Sequence, residues 1–75
     1  MADGIIKWFN LDRGFGMITS ADGADVFMPY SAVHDKALRY PQAGQRVHFE
    51  MMRSTHEFLE QNSGWRASRV LLANA

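Results

Sequence analysis

Aromatic side chains are the residues of this sequence whose type and spacing point most clearly to chemistry. Five of them fall within the first thirty positions: Trp8, Phe9, Phe15, Phe27 and Tyr30. Flat rings stack on the two faces of unpaired nucleic-acid bases, and each such contact contributes roughly 1–3 kcal/mol whatever the base. This chemistry needs rings on an exposed surface, so it depends on the elements that carry them.

Histidines are the other side chains that invite a chemical role, at His34, His48 and His56. None of them has the HxxxH or HExxH spacing of a zinc site, and the chain has no cysteine. The sequence also lacks the Gly-x-Ser-x-Gly turn of a serine nucleophile and a phosphate-cradling loop. We therefore expect no enzyme, no metal, no cofactor and no small-molecule substrate. A small ribonuclease that uses the histidines is the weakest alternative.

Length and charge restrict the class of protein further. Seventy-five residues leave room for a single domain, which we place over residues 1–75. Eight basic and eight acidic residues give a net charge of +0, which argues against a protein held to nucleic acid mainly through phosphates. The sequence shows no signal peptide and no apolar run long enough to cross a bilayer, so we expect a cytoplasmic protein with no membrane partner.

Short segments of alternating, β-branched and aromatic residues predict an all-β fold. We place strands at residues 4–10, 15–20, 25–29, 45–53 and 65–72, with turns rich in Gly, Asp, Asn and Pro between them. Residues 31–44 are predicted as a connection with one short helical turn, and residues 54–64 as a long hairpin connection. Five short strands in so small a chain favour a closed or nearly closed barrel.

Alternation along the second and third strands gives this hairpin two apolar faces. One face is aliphatic, with Ile18, Val26 and Met28, whereas the other is aromatic, with Phe15 and Phe27. Because a chain of this length has one core, we predict that the aliphatic face lies inside. The other predicted core residues are Ile6, Val33, Val47 and Val70.

The aromatic face of the hairpin is then an exposed surface. Arg13 lies at its entrance and Asp25 interrupts it, and an apolar patch bordered by charge is typical of a binding site. Gly14 and Gly16 are expected to leave the Phe15 ring uncovered. The alternative is that these rings are ordinary core, and Asp25 is either a turn residue or an acceptor for a base edge.

Three blocks of this sequence resemble bacterial cold shock proteins: GIIKWFN (residues 4–10), RGFGMI (13–18) and DVFMPYSAV (25–33). The second and third blocks match the two ribonucleoprotein-type motifs of that family. GQRVHFE (44–50) and GWRASRV (64–70) are similar to its fourth and last strands. The resemblance implies a five-stranded antiparallel barrel of the oligonucleotide-binding (OB) type. It also implies a protein that binds single-stranded RNA and DNA with low sequence specificity, as an RNA chaperone or regulator of gene expression.

The resemblance also assigns the contact surface. Position by position, it falls on Lys7, Trp8, Phe9, Arg13, Phe15, Met17, Asp25, Phe27, Pro29, Tyr30 and Leu38. Met17 and Leu38 stand where the family usually has rings, and Pro29 where it has His. Since each lost stacking contact costs roughly 1–3 kcal/mol, we expect an affinity below that of typical members. Arg13 replaces Lys, which keeps the cation and adds a flat group.

Several alternatives stay open from the sequence alone. Lys7 and Trp8 should point to opposite faces of a regular strand, so a bend or bulge is needed to bring both to one surface. Leu38 is either a contact residue or a loop residue that covers the barrel. The neutral charge, the depleted set of rings and a long segment with Phe58 and Trp65 favour a rival function, protein contact or self-association. We expect a monomer, with a strand-exchanged homodimer as the alternative.

Overall fold

Five β-strands close into a barrel in the computed structural model, which describes residues 1–53 and 65–73. The strands are β1 (Ala2–Asn10), β2 (Phe15–Ser20), β3 (Asp25–Pro29), β4 (Arg46–Arg53) and β5 (Trp65–Leu72). Around the barrel they follow the order β1-β2-β3-β5-β4, and β4 pairs with β1 to complete the circle. The predicted all-β barrel of five strands is therefore confirmed.

Strand pairing explains where the observed bounds differ from the predicted ones. β1 begins at Ala2 rather than at residue 4, because Ala2 pairs with Phe49 of β4 and Asp3 with His48. β4 begins at Arg46, and the other three strands have the predicted bounds. The hairpin connection predicted for residues 54–64 lies outside the described residues. β3 and β5 run parallel, whereas the other neighbouring strands are antiparallel.

Two short 3-10 helices, Tyr30–Ala32 and Lys36–Leu38, replace the one helical turn predicted between β3 and β4. Asp35 caps the second helix, since its carboxylate accepts a hydrogen bond from the Ala37 N–H at 2.9 Å. The same carboxylate accepts a bond from the Leu72 N–H at 3.0 Å. Asp35 thus ties the connection to β5, a contact between distant parts of the sequence that no local pattern predicts.

The turn between β2 and β3 is held by a carboxylate. The Ser20 hydroxyl donates to Asp22, and the Ala24 N–H donates to the same oxygen at 3.1 Å. These hydrogen bonds, that from Ser20 first, lower the pKa of Asp22 below its ordinary value of 3.8. Because the folded protein has the lower pKa, this turn stabilises the fold above that value, and the contribution is lost as the pH falls through the folded pKa.

The barrel interior is aliphatic, as predicted. Its core consists of Ile6, Ile18, Val26, Met28, Ala32, Leu38, Val47, Phe49, Ala67 and Val70. Val33 was predicted there and is half-buried against this cluster. Ala67 and Val70 both face inward because a register shift leaves Ser68 as an extra residue between their pairs on β4. The hairpin of β2 and β3 buries its aliphatic face, since Ile18, Val26 and Met28 belong to this core.

Leu38 corrects one of the contact residues that the resemblance assigned. Its side chain is 0% exposed and belongs to the core, so it is not available to a ligand. The physical reason is the second 3-10 helix, which packs on β5 and is tied to that strand through Asp35. The alternative, a loop residue that covers the barrel, is the one that the structure shows.

Replacement of Leu38 by alanine tests this correction. A buried leucine that becomes alanine costs about 2–5 kcal/mol of unfolding free energy, because it leaves a cavity. We expect a loss of this size for Leu38→Ala in equilibrium urea unfolding. Leu11→Ala is the matched control, since Leu11 is exposed and its removal should change stability by no more than about 0.5 kcal/mol. Equal effects of the two substitutions would contradict the assignment of Leu38 to the core.

Candidate nucleic-acid interface

A β-bulge in β1 decides which side chains reach the outer surface. Ile6 pairs with Ile18 and Trp8 pairs with Met17, so Lys7 is an extra residue between the two pairs. Without it, Ile6 and Trp8 would point to the same side of the strand. With it, Ile6 is buried in the core and Trp8 is 40% exposed on the outside. The predicted irregularity at Lys7 and Trp8 is confirmed.

Three aromatic rings form a continuous surface on the outside of β1, β2 and β3. The ring centroids of Trp8 and Phe15 are 5.9 Å apart, at an interplanar angle of 71°. Those of Phe15 and Phe27 are 5.6 Å apart, at 31°. These spacings are typical of rings in contact. None of the three rings belongs to the buried core cluster, and we call them the aromatic face.

Met17 lies in the middle of the aromatic face but contributes little open surface. It pairs with Trp8 on one side and with Phe27 on the other. Its side chain is only 9% exposed, so the structure brings Met17 to the predicted site but leaves it little room to contact a ligand. It packs within the surface that carries the rings. Pro29 ends β3 on the same side, paired with Phe15, and is half-buried.

Lys7 and Asp25 place a pair of charges beside the rings. Lys7 Nζ donates to Asp25 Oδ2 at 3.3 Å, and both side chains are substantially exposed. Exposed pairs of this kind contribute only about 0–1 kcal/mol to folding. The pair therefore fixes the position of a cation next to Phe27 more than it stabilises the barrel. Asp25 is a strand residue, which removes the alternative of a turn role.

The turn between β1 and β2 positions Arg13 at the other end of the face. The Arg13 N–H donates to Asn10 Oδ1 at 3.1 Å, and the Gly14 N–H donates to the Asn10 carbonyl at 2.9 Å. Gly14 has a φ of 78°, which suits glycine. The prediction of site residues missed Asn10, although an Asn that ends a strand before a Gly-containing turn is a usual signal for this geometry.

Phe9 and Tyr30 lie apart from the aromatic face. Phe9 follows Trp8 in β1 and so points to the opposite side, where it is half-buried against the core. Its ring is 6.1 Å from that of Tyr30, which is exposed and donates a hydrogen bond to the Arg39 carbonyl at 3.0 Å. The two rings are separate from the surface formed by Trp8, Phe15 and Phe27.

Gly16 corrects an expectation about the site. We predicted that Gly16 leaves the Phe15 ring uncovered, but Gly16 lies on the opposite side of β2, facing Phe9. A Cβ at this position would be 2.3 Å from the Trp8 carbonyl oxygen and 2.6 Å from Phe9 Cδ2. The glycine is therefore required because β1 and the Phe9 ring approach its backbone closely.

This close approach gives a prediction for Gly16→Ala. Overpacking of a buried site costs about 1–3 kcal/mol or more, and here the carbonyl of β1 must move. We expect Gly16→Ala to lower the unfolding free energy by about 2 kcal/mol or more in urea. Gly23→Ala is the control, because Gly23 has a φ of 91° with open space around it and isolates the conformational cost, about 1–2 kcal/mol. A smaller loss for Gly16→Ala than for Gly23→Ala would contradict the steric account.

Two further features of the described residues bear on the kind of site. Within residues 1–53 and 65–73, no cluster of three or more His, Asp or Glu side chains is arranged to hold a metal ion. In the same part of the chain, no helix has the length and apolar content to cross a membrane.

Trp8 is exposed on the outer surface of the barrel, and Phe15 and Phe27 are half-buried beside it. A small closed barrel of five strands with rings on its outer surface is typical of OB-type binding domains. The family model described as the 'Cold-shock' DNA-binding domain matches residues 2–71. The chain therefore belongs to the cold shock domain family, whose members bind nucleic acids.

Individual relatives agree with this assignment. Cold shock protein 1 of Lactiplantibacillus plantarum is 44% identical over 50 residues, which are 67% of this chain and 76% of the relative. The major cold shock protein of Streptococcus pyogenes is 41% identical over 51 residues, 68% of this chain and 76% of the relative. Cold shock-like protein CspA of Stigmatella aurantiaca is 44% identical over 63 residues, 83% of this chain and 93% of the relative. The predicted family is confirmed.

Proposed function

We propose that this protein binds single-stranded RNA and DNA by stacking unpaired bases on Trp8, Phe15 and Phe27. The observation that carries the proposal is the aromatic face itself, in which neighbouring ring centroids lie 5.9 Å and 5.6 Å apart outside the core. Trp8 is exposed and Phe15 and Phe27 are half-buried, and apolar rings that lie outside the core and are bordered by charge suit a binding surface. Unpaired bases suit them because every base has two flat faces.

Two cations beside the aromatic face can contact the backbone of the strand. Lys7 is held next to Phe27 by Asp25, and Arg13 lies at the turn that precedes Phe15. Each can contact a backbone phosphate near a stacked base. Because the net charge is +0, these local contacts and not a general field attract the strand. Stacking thus provides most of the affinity and phosphate contact a minor share.

Low sequence specificity follows if stacking provides most of the affinity. Stacking accepts any base, and hydrogen bonds to base edges are needed to choose between bases. A protein that covers unpaired bases without choosing among them keeps RNA strands from pairing. We therefore propose the role of an RNA chaperone that disfavours unwanted secondary structure. Its affinity is lower than that of members with a full set of rings, because Met17, Pro29 and Leu38 stand in place of three stacking side chains. Burial of Met17 and Leu38 leaves neither side chain open to a base.

Fluorescence titration tests the proposal on the intact protein. A thymidylate strand of about eight nucleotides should quench Trp8 as bases stack on it, and the Trp65→Phe variant assigns the signal to Trp8. With two or three phosphate contacts, the plot of log K against log salt should have a slope of only about −1.4 to −2.1. Unchanged fluorescence at high micromolar strand would contradict binding. A much steeper slope would contradict stacking as its main source.

Removal of single rings locates the binding surface. We expect Phe15→Ala and Phe27→Ala each to weaken binding roughly 5- to 150-fold, the equivalent of about 1–3 kcal/mol, while the barrel stays folded. Tyr40→Ala is the matched control, since Tyr40 is exposed but outside the aromatic face. Loss of the folded state in the two Phe variants would show that the rings are core.

Sedimentation of the same samples tests the rival function, protein contact or self-association. A stable dimer without affinity for single strands would support self-association instead.

A further inference from the structure

The aromatic face continues onto β5, a strand to which the site described so far does not extend. Trp8 pairs with Met17, Met17 with Phe27, and Phe27 with Arg66. These four residues therefore form one row across the neighbouring strands β1, β2, β3 and β5. Neighbouring strands lie about 4.8 Å apart, so the row is about 14 Å long from its first member to its last. Its last position carries a guanidinium group.

The burial of adjacent residues shows that Arg66 and Phe27 point to the same side. Val26 and Met28, on either side of Phe27, are both 0% exposed in the core, and so Phe27 points outward. Ala67, next to Arg66, is buried as well, so Arg66 points outward from its own strand. Two outward residues in register on paired strands are neighbours on one surface.

The contacts of Arg66 orient its side chain and leave its charge available. Its Nη2 atom lies 3.7 Å from the sulfur of Met52, the residue with which it pairs on β4. A thioether is a weak acceptor, so this contact holds the guanidinium group without neutralising it. Arg66 is half-buried, which limits the conformational entropy that it loses when a ligand binds.

We propose that Arg66 binds a backbone phosphate of the single strand, next to the base that stacks on Phe27, and so extends the binding site across the β3–β5 contact. This inference rests on the proposed function. A guanidinium group matches the oxygens of a phosphate through paired hydrogen bonds. The strand then crosses the barrel from Trp8 to Arg66. Arg66 is a third cation on this surface, beside Lys7 and Arg13.

Three variants of β5 test the proposal by titration with the same thymidylate strand. Arg66→Ala should bind about fivefold more weakly at 0.1 M salt, and its salt slope should be shallower by about 0.7, the value for one phosphate contact. Arg66→Lys keeps the charge and should retain the slope of the unmodified protein with most of its affinity. Arg69→Ala should match the unmodified protein, since Arg69 is exposed on the same strand but pairs with Glu50, outside the row.

The outcomes distinguish this inference from the function on which it rests. One outcome would contradict only the role of Arg66. In it, Phe15→Ala weakens binding, whereas Arg66→Ala has the salt slope of the unmodified protein and the same affinity as Arg69→Ala. The proposed function would then stand without the Arg66 contact. If Arg66→Lys binds as weakly as Arg66→Ala and neither substitution changes the salt slope, the proposed phosphate contact is wrong. If the unmodified protein binds no strand, both proposals fail. Should Arg66→Ala reduce the folded fraction in circular dichroism, Arg66→Gln keeps a polar side chain that donates hydrogen bonds but carries no charge, and it must show the same loss of slope.

Discussion

A single extra residue in β1 is the constraint on which the two surfaces of this barrel depend. The bulge at Lys7 reverses the alternation of the strand, so Ile6 packs in the core and Trp8 lies outside. A regular strand would put both on one side, and the indole would then compete for space in a core already filled by Phe49 and its aliphatic neighbours. The bulge also leaves Lys7 next to Asp25.

The small size of the core explains why these rings lie on the outside of the barrel. The β2–β3 hairpin has two apolar faces, and a barrel of five strands can enclose only one of them. The aliphatic face fills the interior, since Ile18, Val26 and Met28 are fully buried. Phe15 and Phe27 remain half-buried on the outside, with Met17 on the same side of the sheet. The site is therefore the surface that the barrel cannot bury.

Local patterns predicted most of the strands and the choice of face, because alternation and turn residues are local signals. The irregularity at Lys7 follows instead from the family resemblance, which assigns both Lys7 and Trp8 to one contact surface although alternation puts them on opposite sides of a strand. Burial of Leu38 could not be predicted in this way. It depends on Asp35, which caps a short helix and also accepts a hydrogen bond from Leu72, far along the chain. The position of Arg66 beside Phe27 likewise depends on the parallel β3–β5 pairing, which sequence periodicity does not specify. The close approach of Phe9 to Gly16 could not be predicted either, because it depends on the pairing of β1 with β2.

The central claim is that a single strand binds by stacking its bases on the aromatic face, and detection of contacts between these rings and the bases tests it most directly. Isotope-filtered NMR on the protein with a short thymidylate strand measures which side-chain protons lie within about 5 Å of the bases, since stacked rings and bases are van der Waals neighbours. We predict intermolecular contacts from the base protons to the rings of Trp8, Phe15 and Phe27. Contacts confined to other surfaces, or none to these three rings while the strand is bound, would contradict the account.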